Sequence, residues 1–163
     1  MLPEIKTILY ATDLKEQGSK NVFKMAVSLA KSTGAHIVML HVAEVPSANV
    51  EHMLANVLSE EAFQDMKSKG LQTYKDQMES RLQAFCEEEC NDSNQHHYPG
   101  GKPTVIVEEG RPARTILRLA EEHQADLIVM GCRHHSTLGQ ALLGSIANKV
   151  AYRSKIPVMI YPI

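Results

Sequence analysis

The sequence predicts an α/β protein, in which one doubly wound parallel β-sheet carries helices on both faces. Short apolar segments alternate with longer segments whose apolar residues recur every three or four positions. This β-α alternation, repeated to give five predicted strands, is typical of parallel sheets with right-handed crossovers. The length of 163 residues suits one domain, and a chain of this size forms its core without cross-links.

The first part of the chain contains two predicted strands and one predicted helix. Ile5–Ala11 is β-rich and mostly apolar, and it ends in a polar turn. A helix follows from Ser19 because its apolar residues lie on one face, and Gly34 closes it as a C-terminal glycine. The second strand, His36–Ala43, is an apolar run that Pro46 ends.

The middle of the chain is predicted to form one long helix, Ser59–Glu89. Methionine and aromatic residues recur along it at helical spacing, and Ser59 offers an N-cap followed by an acidic first turn. Residues 48–58 before it form either a short helix or a mobile excursion. Residues 91–103 after it have the composition of a loop.

The last part of the chain supplies three more strands. The third, Thr104–Val107, precedes a turn in which Pro112 takes the first position of a helix. The fourth, Asp126–Met130, is an apolar run typical of a buried parallel strand, and Gly131 ends it. The last helix runs from Leu138 or Ala141 to Arg153, and the fifth strand is Ile156–Tyr161.

Composition argues against several classes of partner. A formal net charge of −2 argues against a basic nucleic-acid surface. No apolar stretch approaches the roughly 20 residues that span a bilayer, and the N-terminus lacks the features of a signal peptide. The three cysteines have no repeated zinc-type spacing, which favours a reduced setting. We therefore expect a cytoplasmic protein without nucleic-acid or membrane partners.

Two polar segments follow predicted parallel strands and meet at one edge of the sheet. They are Thr12–Asp13 after the first strand and Gly131–Ser145 after the fourth. Ligands of such sheets bind outside the carboxyl ends of the strands. A strand, a glycine loop and a helix start together form a phosphate site, because helix N–H groups favour anions and glycine admits them closely. Asp13 is either a ligand contact or a cap of the first helix.

The motifs along the chain resemble those of the universal stress protein family over essentially its whole length. The matching segments are Ala11–Asp13, Leu40–Val42, Gly110–Leu117 (G-x-P-A-x-x-I-L), Asp126–Gly131 (D-L-I-V-M-G), Leu142–Ser145 and Ile156–Val158. The resemblance implies a sheet order of 3-2-1-4-5. It also implies that residues 1–163 form one nucleotide-binding domain.

Members of the family that bind ATP resemble the pattern G-x2-G-x9-G-[S/T]. Gly131 fills its first position, and Gly144–Ser145 fill the last two. His134 stands where the middle glycine belongs, and its imidazole can either bond to a phosphate or block it. The resemblance thus leaves two functions open, a stress-response regulator that binds ATP or AMP and an interaction module that binds no nucleotide.

The resemblance implies a nucleotide site between the first and fourth strands. The expected binding residues are Ala11, Thr12, Asp13, Val42, Met130, Gly131, Arg133, His134, Gly144, Ser145 and Ile146. Asp13 would approach the adenosine end, where its carboxylate accepts bonds from a ribose hydroxyl or the base amine. Val42 and Met130 would line the base pocket, and the glycine loop and helix start would hold phosphates. Mg²⁺ would bind through phosphate oxygens and water.

Other chemistries are less favoured by the sequence. Neither a G-x-x-x-x-G-K-[ST] loop nor a G-x-S-x-G elbow is present, and no general base is evident, so at most slow ATP hydrolysis is expected. Weak metal candidates are His134–His135 near Cys132 and His96–His97 with Cys90. A flavin carrier fits only the topology, because the loop lacks aromatic residues.

The fifth strand is expected to lie at an edge of the sheet. Its segment Val158–Tyr161 is apolar, and an apolar edge strand invites pairing with a second copy about a twofold axis. We therefore predict a homodimer formed through residues 156–162.

Overall fold

The computed structural model describes residues 2–14, 16–44, 48–91, 98, 100–133, 135–137 and 140–163. The strands of this part of the chain are Thr7–Ala11 (β1), His36–Ala43 (β2), Thr104–Glu109 (β3), Leu127–Cys132 (β4), His135–Thr137 (β5), Gln140–Leu142 (β6) and Val158–Pro162 (β7). Its helices are Glu16–Thr33 (α1), Ala48–Val57 (α2), Glu60–Asn91 (α3), Pro112–Glu122 (α4) and Ser145–Arg153 (α5). The elements match the predicted order, with an additional hairpin, β5–β6.

The main sheet has five parallel strands in the order β3-β2-β1-β4-β7. This confirms the predicted 3-2-1-4-5 arrangement, because β7 is the fifth strand of the main sheet. At the centre, Ala11 of β1 lies opposite Leu40 of β2 and Met130 of β4. The direction of winding reverses between β1 and β4, so the carboxyl ends of these two strands flank the crevice in which ligands of such folds bind.

Helices cover both faces of the sheet, as predicted. On one face Phe23 of α1 is fully buried, and its ring centroid lies 5.5 Å from that of Tyr10 in β1 and 5.2 Å from that of Phe85 in α3. On the other face Ile116 of α4 and Val150 of α5 are buried in a second apolar cluster. The central strands β1 and β4 therefore lie between two packed layers of helices.

Helix α3 confirms the predicted long helix. Among the residues of this helix whose side chains the structure describes, Phe63, Met78, Leu82 and Cys86 are buried, and they recur at helical spacing. Met66 and Tyr74 of the same sequence pattern are exposed. The helix is therefore held mainly by one narrow stripe, beside which Phe85 packs against Phe23.

Residues 48–58 contain the short helix α2, the first of the two alternatives for this segment. Lys67 of α3 binds Glu51 of α2 with a nitrogen–oxygen distance of 2.6 Å. This hydrogen bond raises the pKa of Lys67, and the charge of Glu51 adds to the effect. The pair is partly exposed, so it orients α2 more than it stabilises the fold.

The predicted end of the fourth strand at Gly131 is wrong. β4 continues to Cys132, because Gly131 lies opposite Tyr161 of β7 and Cys132 lies opposite Pro162. Glycine weakens a strand only locally, and pairing with a neighbouring strand overrides that preference.

The predicted start of the last helix is also wrong. Ala141 belongs to β6, which pairs antiparallel with β5, and Leu138 lies outside the described residues. The helix begins only at Ser145. Apolar spacing near a helix start does not reveal strand pairing, and the hairpin depends on that pairing.

No helix within the described ranges is both long enough and apolar enough to cross a membrane. Most of the predicted loop 91–103 falls outside the described residues. In the last part of this segment, Gly100 lies close to the start of β2, where its carbonyl oxygen is 2.8 Å from Nδ1 of His36.

Candidate functional site

The two predicted ligand segments meet at the carboxyl ends of β1 and β4. Asp13, just beyond β1, and Arg133, just beyond β4, bring Oδ2 and Nη2 to 3.7 Å. Their side chains are 50% and 42% exposed. A pair this exposed adds little to stability, so both groups remain able to exchange this contact for contacts to a ligand.

The turn after β1 is held by its own hydrogen bonds. The N–H of Thr12 donates to the carbonyl of Leu40 at 2.9 Å, and the N–H of Leu14 donates to Oγ1 of Thr12 at 3.1 Å. Leu14 has φ of +58°, the left-handed conformation that leucine rarely adopts. The turn therefore has a defined shape, which presents Asp13 at the crevice.

The start of α5 is tied to the end of β4 through a cysteine. The N–H of Gly144 donates to Sγ of Cys132 at 3.0 Å, and this thiol is buried. Gly144 is the N-cap residue of α5, and its carbonyl accepts the first helical bond from Asn148. No pattern in the sequence predicts this contact, which aligns the helix start with the strand end.

The first N–H groups of α5 can receive an anion. The amides of Ser145, Ile146 and Ala147 have no acceptors within the helix, and Gly144 has no side chain to cap them. Ser145 and Ile146 are exposed at this end. Because the helix dipole also favours negative charge here, the start of α5 suits a phosphate.

The two motif glycines differ in how closely other residues pack against them. A Cβ on Gly131 would lie 3.1 Å from Cδ1 of Ile163 and 3.2 Å from Cγ2 of Val22, so the close packing favours glycine there. A Cβ on Gly144 would lie 3.6 Å from Sγ of Cys132, an ordinary contact. The φ of −53° and ψ of 149° at Gly144 also suit any residue. Neither its backbone angles nor the described residues around it require glycine at position 144.

Three further predicted residues lie at or near the carboxyl ends of β1, β2 and β4. Ala11 and Met130 are buried and Val42 is half-buried, and all three pack in the cluster beneath α4 and α5. His134, which stands in place of the middle motif glycine, lies outside the described residues.

The metal candidates named from the sequence also lie outside the described part of the chain. They depend on His134, His96 and His97 and on the side chains of His135 and Cys90. Among the described residues, no three His, Cys, Asp or Glu side chains are grouped so that they could hold a metal ion.

A surface cleft of about 230 Å³ lies at the opposite end of the sheet, between the last turns of α4 and α5. Leu117, Gln124 and Ile156 are among its lining residues. Two helix C-termini disfavour anions, so this cleft is a poor phosphate site. The crevice beside β1 and β4 is the better candidate.

Three side chains behind the turn were missed from the sequence. His41 of β2 and Tyr74 and Arg81 of α3 contact each other or the backbone of the turn. A histidine within the apolar strand His36–Ala43 was the available signal, because buried polar groups require partners.

The fold and the site together define a doubly wound α/β protein with a helix start suited to an anion at its switch point. The chain belongs to the universal stress protein family, whose sequence profile matches residues 4–162.

Relatives match nearly the full length of the chain. Universal stress protein YxiE of Bacillus subtilis is 29% identical over 158 residues, which cover 94% of this chain and 96% of the relative. Universal stress protein MJ0577 of Methanocaldococcus jannaschii is 27% identical over 163 residues, which cover 95% and 93%.

Solved structures have the same fold. The structure of MJ0577 matches with a TM-score of 0.65 at 25% identity and covers 99% of this chain and 98% of its own. A universal stress protein in complex with cAMP matches with a TM-score of 0.61 at 22% identity and covers 98% of both chains. The universal stress protein from Archaeoglobus fulgidus in complex with dAMP matches with a TM-score of 0.55 at 18% identity, covering 95% and 96%. Adenine nucleotides thus occur in proteins of this fold.

Proposed function

We propose that this chain is a stress-response regulator that binds an adenine nucleotide, ATP or AMP, at the switch point between β1 and β4. The observation that carries the proposal is Gly144. Neither its backbone conformation nor its packing against the described residues calls for glycine, yet it stands beside the N–H groups that begin α5.

The residues at the crevice fit such a ligand. The amides of Ser145 and Ile146 would bind phosphate, and Arg133 would add a charge-assisted contact. Asp13 accepts but does not donate when ionised, so it suits a ribose hydroxyl or the base amine. Ala11, Thr12, Val42, Met130 and Gly131 would complete the adenosine pocket and the loop. Two structural neighbours in complex with cAMP and dAMP support the ligand class.

Binding of ATP with Mg²⁺ tests the proposal by calorimetry, on protein freed of carried-over ligand by unfolding and refolding. We expect one site per chain with a micromolar dissociation constant. Absence of heat up to millimolar ATP, in protein that circular dichroism shows to be folded, would contradict it. The chain would then be the alternative, an interaction module of this family that binds no nucleotide.

The role of His134 separates two forms of the proposal. If the imidazole bonds to a phosphate, His134→Gly weakens ATP binding, and if it obstructs the loop, the same change strengthens binding.

No catalytic role is proposed for any residue, and Mg²⁺ would be held through the nucleotide phosphates. The cytoplasmic location stays a prediction.

We also propose that two copies pair through β7, residues 156–162, and that nucleotide occupancy biases this pairing or the binding of protein partners. β7 pairs with β4 on one side, and Val158, Met159, Ile160 and Tyr161 are only half-buried in a single chain. An apolar edge of this kind is covered in most native proteins.

Light scattering at tens of micromolar tests the dimer, with an expected mass of two chains. Ile160→Lys should give single chains, because an edge lysine prevents strand pairing. Ile106→Lys is the matched control, since Ile106 is also half-buried but lies on β3 at the other edge. A monomer in the natural protein, or a dimer in Ile160→Lys, would refute pairing through β7.

A further inference from the structure

Behind the turn after β1, a buried histidine connects the turn to helix α3. His41 is 7% exposed, and its Nδ1 lies 2.9 Å from the carbonyl oxygen of Thr12. A carbonyl oxygen only accepts, so Nδ1 carries the proton and donates. This carbonyl belongs to the planar peptide unit that carries the N–H of Asp13, so the bond fixes the orientation of that unit.

The other nitrogen of His41 faces α3. Nε2 lies 3.3 Å from the hydroxyl oxygen of Tyr74, and the two ring centroids are 6.4 Å apart. With the proton on Nδ1, the neutral ring accepts the hydroxyl proton of Tyr74 at Nε2. Tyr74 is 39% exposed, so burial of its ring does not explain its position.

A second side chain of α3 holds the other end of the turn. Nη2 of Arg81 donates to the carbonyl of Leu14 at 3.3 Å. Arg81 follows Tyr74 by about two helical turns, so both project from one face of α3. Leu14 has φ of +58°, and a leucine keeps this conformation only where its surroundings enforce it.

We propose that α3 sets the geometry of the nucleotide-contacting turn, and that His41, Tyr74 and Arg81 are positioning residues for Asp13. The proposal rests on the proposed function and deepens it, because these residues act on the ligand only through the turn. A rigid turn binds more tightly, since less freedom is lost when the ligand arrives. Their effect is therefore on affinity for the adenosine end.

A double-mutant cycle with Asp13 tests the proposal, using calorimetry with ATP. Tyr74→Phe removes one hydroxyl, and we expect binding about two- to tenfold weaker, the range for one hydrogen bond. In the Asp13→Ala background the same change should have no further effect, because the positioned group is gone. Equal losses in both backgrounds would overturn the proposal.

Two variants of His41 test whether this histidine links Thr12 to Tyr74. His41→Asn retains an N–H donor for the Thr12 carbonyl but loses the link to Tyr74, so it should bind ATP as Tyr74→Phe does. His41→Leu loses both bonds and should bind more weakly than His41→Asn. Tyr152→Phe is the matched control, since Tyr152 is 88% exposed on α5. Equal affinities in the Asn and Leu variants would overturn the histidine's role.

A readout without ligand separates this proposal from the proposed function. The N–H of Leu14 is bonded within the turn, and its exchange with solvent is measurable by NMR. We expect faster exchange at Leu14 in Tyr74→Phe and Arg81→Met than in the natural protein and in Tyr152→Phe. Unchanged exchange in both variants would refute positioning by α3. If the natural protein binds no nucleotide, the proposed function fails, and this exchange alone then decides the positioning role.

Discussion

Gly144→Val is expected to weaken ATP binding at least about a hundredfold, which corresponds to ~2.8 kcal/mol of binding free energy. A valine at this position would place methyl groups beside the open amides of Ser145 and Ile146, where the phosphate is proposed to bind. The fold should tolerate the change, because the backbone angles of Gly144 suit any residue and, among the described residues, the nearest atom to an added Cβ is Sγ of Cys132 at 3.6 Å. Calorimetry measures the affinity, and thermal unfolding reports the stability.

Gly131→Ala is the matched control for this prediction. Its added Cβ would lie 3.1 Å from Ile163 and 3.2 Å from Val22, so we expect a loss of stability of about 1–2 kcal/mol from overpacking. The added methyl group points at these side chains and not at the amides of α5, so ATP affinity should fall much less than in Gly144→Val. Natural affinity in a folded Gly144→Val protein would mean that phosphate binds elsewhere.

Leu82→Ala is expected to lower the free energy of unfolding by about 3 kcal/mol, within the range for leucine-to-alanine changes in a core. Leu82 is fully buried at the contact of α3 with the core. Few other described side chains of this long helix are buried, so the change removes one of the few contacts that attach α3 to the core. Chemical denaturation measures the change.

Gln83→Ala on the same helix is the control for this prediction. Gln83 is exposed, and surface substitutions usually change stability by less than about 0.5 kcal/mol. Equal stability of Leu82→Ala and Gln83→Ala would mean that the buried residues Phe63, Met78, Leu82 and Cys86 do not hold α3 against the core. Because α3 also holds the turn after β1, a weakened attachment should also reduce ATP affinity.

Much of the fold follows from local sequence patterns. The apolar run His36–Ala43 matches β2 without any shift, and the long helix was predicted within two residues at each end. These elements are predictable because an apolar strand and a one-sided helix each leave a periodic signal in neighbouring residues. The order of elements then limits the sheet to a few topologies, and the family motifs indicate which one it is.

The errors lie where the signal is not local. Gly131 was read as the end of a strand, but pairing with Tyr161 extends β4 through it. Ala141 was read as helical, but it pairs with Ser136 in the hairpin. In both cases a partner segment outweighs the preference of the residue itself.

The candidate site divides in the same way. The sequence by itself determined that Thr12–Asp13 and Gly144–Ser145 follow strands of one parallel sheet, because motif spacing and the alternation of elements are properties of the chain alone. Only the tertiary structure shows that the described residues pack more closely against Gly131 than against Gly144, and which side chains stand behind the turn. His41 reaches Thr12 across 29 positions, and Arg81 reaches Leu14 across 67. Contacts over such separations depend on how the layers pack, and no periodicity in the sequence records them.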